Sequence, residues 1–206
     1  MNATKEKILN KSLELYNAHG LPNVSQRNIA EALNMSHGNL TYHFKKKPQI
    51  TEHLFRRFVN DLEHVGVTHR SQDNPLQDCI VLFENTYDLF YKYRFLLFDF
   101  MYLLKTNSAL SHAFSQLWTQ ERYRIVKNIK DLVEKNISRE EQIENEYDKY
   151  LHMNLLCFSQ AFISCTQGLY GNAQAKDDYV KHMMVYLFPY LTTKGLKYFH
   201  QLGLQL

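Results

Sequence analysis

The chain has 206 residues, 45% of them hydrophobic, with only 7 Gly and 4 Pro, a composition that excludes a disordered polymer and leaves too few breakers for a β-sandwich, so long helices are expected. The formal net charge of +3 does not by itself imply a polyanionic partner. Its distribution says more: residues 1–50 hold seven Lys/Arg (Lys5, Lys7, Lys11, Arg27, Lys45, Lys46, Lys47) against three acids (Glu6, Glu14, Glu31), and the rest holds 17 bases and 18 acids, a layout that fits a small nucleic-acid reader on a neutral body as well as it fits ordinary surface charge.

In chain order, Met1–Lys11 is polar and is not a secretory leader. Thr4 is a candidate cap for a first helix, whose buried face is Ile8, Leu9, Leu13 and Tyr16, with Leu15 beside them; Gly20 then stops it, with Pro22 just beyond. Ser25 precedes Ile29, Ala30 and Leu33, and Ser36 precedes Leu40 and Phe44. Each serine can cap a helix by accepting a hydrogen bond from a first-turn amide. Each also follows an apolar residue with a partner five positions on, Val24 with Ile29 and Met35 with Leu40, which is the spacing of a hydrophobic staple. Asn34 lies between them and tolerates the positive φ a tight turn needs. Two short helices joined by about three residues make a helix-turn-helix.

Pro48 suits the first turn of a fourth helix with Ile50, Leu54, Phe58 and Leu62 along one side. Thr68–Pro75 is polar and reads as a loop and domain boundary. Helical patterns follow over Leu76–Leu104, Ser108–Phe114, Ser115–Lys135 and Glu144–Tyr170, with Asn136–Gln142 as a polar connector and Gly171 as a stop. The last pattern, Asp177–Gln201, contains Pro189, which should kink or split it. The longest apolar stretch, around Phe95–Leu104, is interrupted by Asp99 and falls short of the roughly 18–20 residues a membrane span needs. Cys79, Cys157 and Cys165 form no C-x-x-C pair and are expected to be reduced core residues of a cytosolic protein.

If Leu40 and Phe44 face a core, the other side of their helix shows Gly38, Thr41, Tyr42 and Lys45, flanked by Asn39 and His43, with His37 in the first turn. Asn39 and Thr41 can hydrogen-bond base edges, the Tyr42 ring can pack on a thymine methyl, and Gly38 allows a close approach to the groove. Ser25 and Ser36 head helices whose N-termini favour anions. Gln26, Arg27, Tyr42, His43 and Lys47 can donate to phosphate. The alternative for all of these is a solvated polar face, and the paired caps and the turn tip the balance to DNA.

The run from Ile29 to Lys47 (IAEALNMSHGNLTYHFKKK) resembles the DNA-binding signature of the TetR/AcrR family of bacterial regulators: Ile-Ala, a small turn residue, Val-Ser, x-Gly-x-Leu-Tyr-x-His/Tyr-Phe, then a Lys opening the next helix. Asn34 stands where Gly is common and Thr41 where Tyr is common. The resemblance implies an all-α fold of about nine helices. It would comprise an N-terminal three-helix helix-turn-helix DNA-binding domain at 1–48 and a larger C-terminal helical ligand-binding and dimerisation domain at 49–206. It implies a cytoplasmic bacterial homodimer that binds a double-stranded DNA operator and is released by a small-molecule effector, with no cofactor and no membrane. DNA contacts would come from Ser25, Gln26, Arg27, Ser36, His37, Gly38, Asn39, Thr41, Tyr42, His43, Lys45 and Lys47. Dimerisation would fall to about Glu144–Tyr170 and Asp177–Gln201.

The effector pocket is expected among Phe95, Phe98, Met101, Tyr102, Trp118, Tyr123, Phe158 and Phe162, with Asp99, Gln120, Asn154 or Gln160 as polar groups. For any one aromatic, plain core packing is the stronger reading. With 14 Tyr and 13 Phe, an apolar or aromatic ligand is expected. The ten His show no pair at helical metal spacing, and no nucleophile or phosphate-loop motif occurs, so neither an enzyme nor a metal site is expected. The rival readings are a helical interaction protein or a ligand-binding protein without DNA readout.

Overall fold

A computed structural model describes residues 2–65, 74–140, 147–166 and 172–203. These residues form eleven α-helices and one short 3-10 turn, with no strand beyond an isolated bridge between Ser138 and Leu191. The helices are α1 Ala3–His19, α2 Gln26–Ala32, α3 His37–His43, α4 Lys47–His64, α5 Pro75–Lys92, α6 Arg94–Phe98, α7 Phe100–Thr106, α8 Ser108–Glu134, α9 Tyr147–Thr166, α10 Asn172–Leu187 and α11 Thr193–Gln201. The all-α expectation holds, with eleven helices rather than about nine. The run Leu76–Leu104 breaks twice, at Tyr93 and Asp99, into α5, α6 and α7. Ser108–Phe114 and Ser115–Lys135 are one continuous helix, α8. Pro189 splits the last pattern into α10, the 3-10 turn Phe188–Tyr190 and α11. The polar loop read at Thr68–Pro75 and the end of the long helix at Gly171 lie largely outside the described residues.

The chain divides into two compact units, Met1–Glu63 with Lys92–Phe114, and His64–Tyr91 with Ser115–Leu206. The expected division at 48/49 follows chain order, whereas these units are set by packing and are discontinuous along the chain. In the first unit, Asn2 rather than Thr4 caps α1: its side chain accepts from the Thr4 amide at 2.9 Å. Ile8, Leu9 and Tyr16 are buried along α1, and Gly20, at φ 79°, closes the helix onto the Tyr16 carbonyl. Along α4, Ile50, Leu54, Phe58 and Leu62 are all buried. Phe95 of α6 packs its ring 5.4 Å from Tyr16, and Phe58 sits 5.7 Å from Tyr93. Polar ties flank these contacts: Arg57 pairs with Glu6 and donates to Asn10, while Lys92 and Tyr93 both donate to Asp61. Burial alone would raise the Asp61 carboxyl, but those two hydrogen bonds hold it below the ordinary aspartate value.

In the second unit Tyr179 of α10 is the aromatic hub. It is fully buried, lies 5.4 Å from Tyr87 and 5.6 Å from Phe162, and shares a 2.8 Å hydrogen bond with Ser159. Burial holds its hydroxyl well above the ordinary tyrosine range. The segment after α8, expected to be a polar connector, is instead an anchor. Asn136 takes φ 56°, Ile137 is fully buried, and the Ile137 carbonyl accepts from the Thr192 amide at 3.0 Å. Gly195, in the first turn of α11, lies so close that a Cβ there would sit 2.2 Å from the Ile137 carbonyl oxygen. Cys79 is half-buried and its thiol is pushed up to about 12 by burial. Cys157 and Cys165 are exposed on α9 in the single chain, not core residues as expected, because α9 turns those positions away from the Tyr179 cluster.

Candidate nucleic-acid interface

The segment from Ser25 to Lys47 folds as its local signals require. The Ser25 hydroxyl accepts from the Asn28 amide at 3.2 Å, and the Asn28 side chain accepts from the Ser25 amide at 2.9 Å, closing a capping box. The Ser-x-x-Asn spacing was the available signal for Asn28, a residue the sequence reading passed over. Asn34 takes φ 53° and donates to the Glu31 carbonyl, and Met35 donates to the Ala30 carbonyl, each at 3.0 Å. These two bonds are a Schellman ending, which satisfies the carbonyls that the end of α2 leaves free. Ser36 then caps α3 through the Asn39 amide at 3.2 Å. Gln26 reaches from α2 to donate to the Phe44 carbonyl at 2.7 Å, fixing the far end of α3.

On α3, Leu40 is fully buried and Phe44 nearly so, while Tyr42 is 81% exposed. Phe44 closes the inner side, 5.4 Å from the His53 ring and 5.8 Å below the Lys5 ammonium. His37, Gly38 and Asn39 are exposed, and Thr41 and His43 are half-exposed. Nothing in the chain crowds Gly38: a Cβ there would meet only the Ser36 hydroxyl, at 4.0 Å. The fold of the described residues leaves room for a side chain at this position. The Thr41 hydroxyl donates back to the Gly38 carbonyl at 3.0 Å.

The cationic residues divide. Arg27, Lys45 and Lys46 are exposed. Lys47, expected at phosphate, is half-buried: its ammonium donates to the Leu21 carbonyl and lies 5.8 Å from the Tyr16 ring. Burial lowers its pKa, and the Asp99 carboxylate pulls it back up.

The eight expected effector residues are divided between the two units. Phe95, Phe98, Met101 and Tyr102 belong to the first unit, and Tyr123, Phe158 and Phe162 to the second, as does position 118. Phe95 is fully buried against Tyr16, whereas Phe98, Met101, Tyr102 and Tyr123 are exposed. Phe158 and Phe162 pack on Tyr179 and on the His182 ring. Of the candidate polar groups, Asp99 accepts from the Leu21 amide. Among the described residues no three His, Cys, Asp or Glu side chains gather as metal ligands, and no helix is long and apolar enough to cross a membrane.

Comparison with known proteins places these features in a wider set. The family described as bacterial regulatory proteins, tetR family, matches residues 8–54, and the TetR family described as bacterial transcriptional repressor matches residues 57–199. Among solved structures, a TetR-family transcriptional regulator from Marinobacter aquaeolei VT8 is similar at 23% identity, covering 98% of this chain and 97% of that one, with a TM-score of 0.84. The ketosteroid transcriptional regulator KstR2 of Mycobacterium tuberculosis shares the fold at 16% identity and a TM-score of 0.68, over 93% of this chain and 97% of that one. The fatty acid degradation regulator FadR of Bacillus halodurans does so at 11% identity and a TM-score of 0.63, over 89% and 95%.

Proposed function

The chain belongs to the TetR family of bacterial transcriptional regulators, and from that premise we propose that its α3 edge reads an operator which an apolar or aromatic effector makes it release, so that it acts as a repressor. A ligand-responsive DNA-binding regulator is what the family membership establishes. The direction of control, the contacts and the effector class are our reading. The observation that carries it is the α3 surface: a doubly capped helix pair burying Leu40 and Phe44 and leaving His37, Gly38, Asn39 and Tyr42 exposed beside an uncrowded glycine.

In this reading residues 1–48 supply DNA binding and 49–206 effector binding and dimerisation. Asn39, Thr41 and His37 lie nearest the bases, and Tyr42 and His43 touch the backbone. Ser25, Ser36, Arg27 and Lys45 supply phosphate donors, while Gln26 also braces α3. Lys47 must leave the Leu21 carbonyl to reach phosphate. The α9 and α10 helices pair with those of a second copy, and the exposed Cys157, Cys165 and Val185 fit a surface that a partner covers. The names of KstR2 and FadR, tied to ketosteroids and fatty acid degradation, accord with an apolar effector, as does the aromatic content of the chain.

The test is selection of bound sequences from random duplex DNA by the full-length protein, repeated with sterols, acyl chains and aromatic acids present. We expect a near-palindromic site, an affinity that falls steeply with salt as counterions are released, and loss of binding with one apolar class. Asn39→Ala should relax base preference at particular positions, at a cost of about 1–3 kcal/mol on the preferred sequence. An unchanged preferred sequence in that variant would show that α3 is not in the groove in this register.

A further inference from the structure

We propose that Asp99 is a positioning residue for DNA reading: from the break between α6 and α7 it fixes the α1–α2 turn on which the helix-turn-helix is set. The inference rests on the DNA-reading role proposed above. Asp99 ends α6 and begins α7, yet its side chain caps neither helix. Instead Oδ2 accepts the Leu21 amide at 2.7 Å. The carbonyl of the same residue, Leu21, accepts the Lys47 ammonium. Both backbone groups of one turn residue are therefore taken by charged side chains, one from the first position of α4 and the other from 78 residues along the chain.

Leu21 is itself buried; its carbonyl also accepts the Val24 amide at 3.4 Å, while its amide donates to the Asp99 carboxylate. Hydrogen bonds to charged partners are the stronger kind, and a buried amide that loses one is left unsatisfied. The carboxylate and the ammonium also offset each other across the Leu21 peptide, so each makes the burial of the other cheaper.

A second pair of bonds ties the same two segments. The Asn17 side chain donates to the Lys92 carbonyl at 2.8 Å and accepts from the Phe95 amide at 3.1 Å. Phe95 lies in the first turn of α6, a helix without a side-chain cap of its own, so a residue of α1 does the capping. Asn17 and Leu21 thus bracket the α1–α2 turn from both sides of Gly20. From there only Pro22, Asn23 and Val24 intervene before the Ser25 capping box that starts α2. A turn released from Asp99 would let α2, and α3 packed on it, tilt away from the angle the groove demands. Residues 92–114 are also continuous in the chain with Tyr91 and Ser115 of the other unit, so the clamp is made by a segment whose two ends belong elsewhere.

The experiment uses full-length Asp99→Ala and Asp99→Asn with the operator fragment that the wild-type protein selects. Affinity is measured with melting temperature and amide exchange of the segment around Leu21. Asp99→Ala is expected to bind at least about tenfold more weakly and to lose protection at Leu21, with α2 and α3 still helical by circular dichroism. Asp99→Asn keeps an acceptor oxygen for the Leu21 amide and should recover affinity to within about threefold of wild type. Wild-type affinity and protection in Asp99→Ala would overturn the proposal. So would equal losses in Ala and Asn that track melting temperature, since that marks general destabilisation. If the wild-type protein selects no sequence, the DNA reading fails on its own, and exchange at Leu21 still decides whether Asp99 holds the turn.

Discussion

Two helices of this molecule end in the same way and lead to opposite kinds of structure. Helix α2 closes with Asn34 at φ 53°, and α8 closes with Asn136 at φ 56°. In each, the next residue donates back to the carbonyl five positions earlier, Met35 to Ala30 and Ile137 to Leu132. After Asn34, the chain caps the following helix from within itself, through Ser36. After Asn136, Ile137 is buried and its carbonyl is held by Thr192, 55 residues away. One turn is complete within a dozen residues; the other has no defined neighbour until α11 arrives. Identical backbone chemistry thus says how a helix stops and nothing about what it stops against.

The two glycines that follow sharpen this contrast and should give the largest difference. Gly195→Ala would drive a Cβ into the Ile137 carbonyl, where backbone and not a flexible side chain must yield. We expect a loss of about 3 kcal/mol in urea unfolding, from overpacking of a closed contact. Gly38→Ala meets open space and should leave stability unchanged or raise it by less than about 1 kcal/mol, while DNA affinity falls about tenfold or more because the extra methyl faces the groove. Stability losses of equal size at the two sites would remove the distinction between a glycine kept for the fold and one kept for a partner.

The two caps come next. Ser36→Ala removes one cap bond and should cost about 1 kcal/mol. Thr192 caps α11 through the Gly195 amide and also donates to the Asn136 carbonyl at 2.7 Å. Thr192→Ala should therefore cost about 2 kcal/mol, the cap plus a second hydrogen bond. If thermal unfolding ranks the two in the reverse order, the α8–α11 junction is held by something other than these bonds.

The smallest effect is at the turns themselves. Replacing Asn34 or Asn136 by Gly relieves the side-chain strain at positive φ but adds freedom to the unfolded chain, and each change should stay within about 0.5 kcal/mol. A clearly larger response at Asn136 would mean that its side chain, and not only its backbone conformation, takes part in the docking of α11.

The helix-turn-helix was legible because everything that shapes it is short-ranged. Ser25, Asn34 and Ser36 act on amides and carbonyls within five residues, and Leu40 and Phe44 share one face by helical spacing alone. The same logic explains what was not legible nearby. Lys47 belongs to the most basic run in the chain, so charge points to phosphate; its contact with the Leu21 carbonyl, 26 residues away, is one to which no local pattern points. In the larger part of the chain, apolar spacing located the helices but could not name the breaks at Tyr93 and Asp99, nor recognise Ile137 as an anchor within a polar stretch. Nor could it say which aromatics would meet: Phe95 goes to Tyr16, while Phe158 and Phe162 go to Tyr179.

By itself, then, the sequence determined an all-helical chain, the caps and turn of the reading motif, and the family that motif marks, because hydrogen bonds within a few residues and a 3.6-residue repeat are written along the chain. Only the tertiary structure decided that residues 92–114 pack with the N-terminal helices, that Asp99 and Lys47 share the Leu21 peptide, and that Gly195 must be small. Those outcomes depend on which surfaces meet after the helices have formed, and one-dimensional spacing carries no record of the partner across the gap.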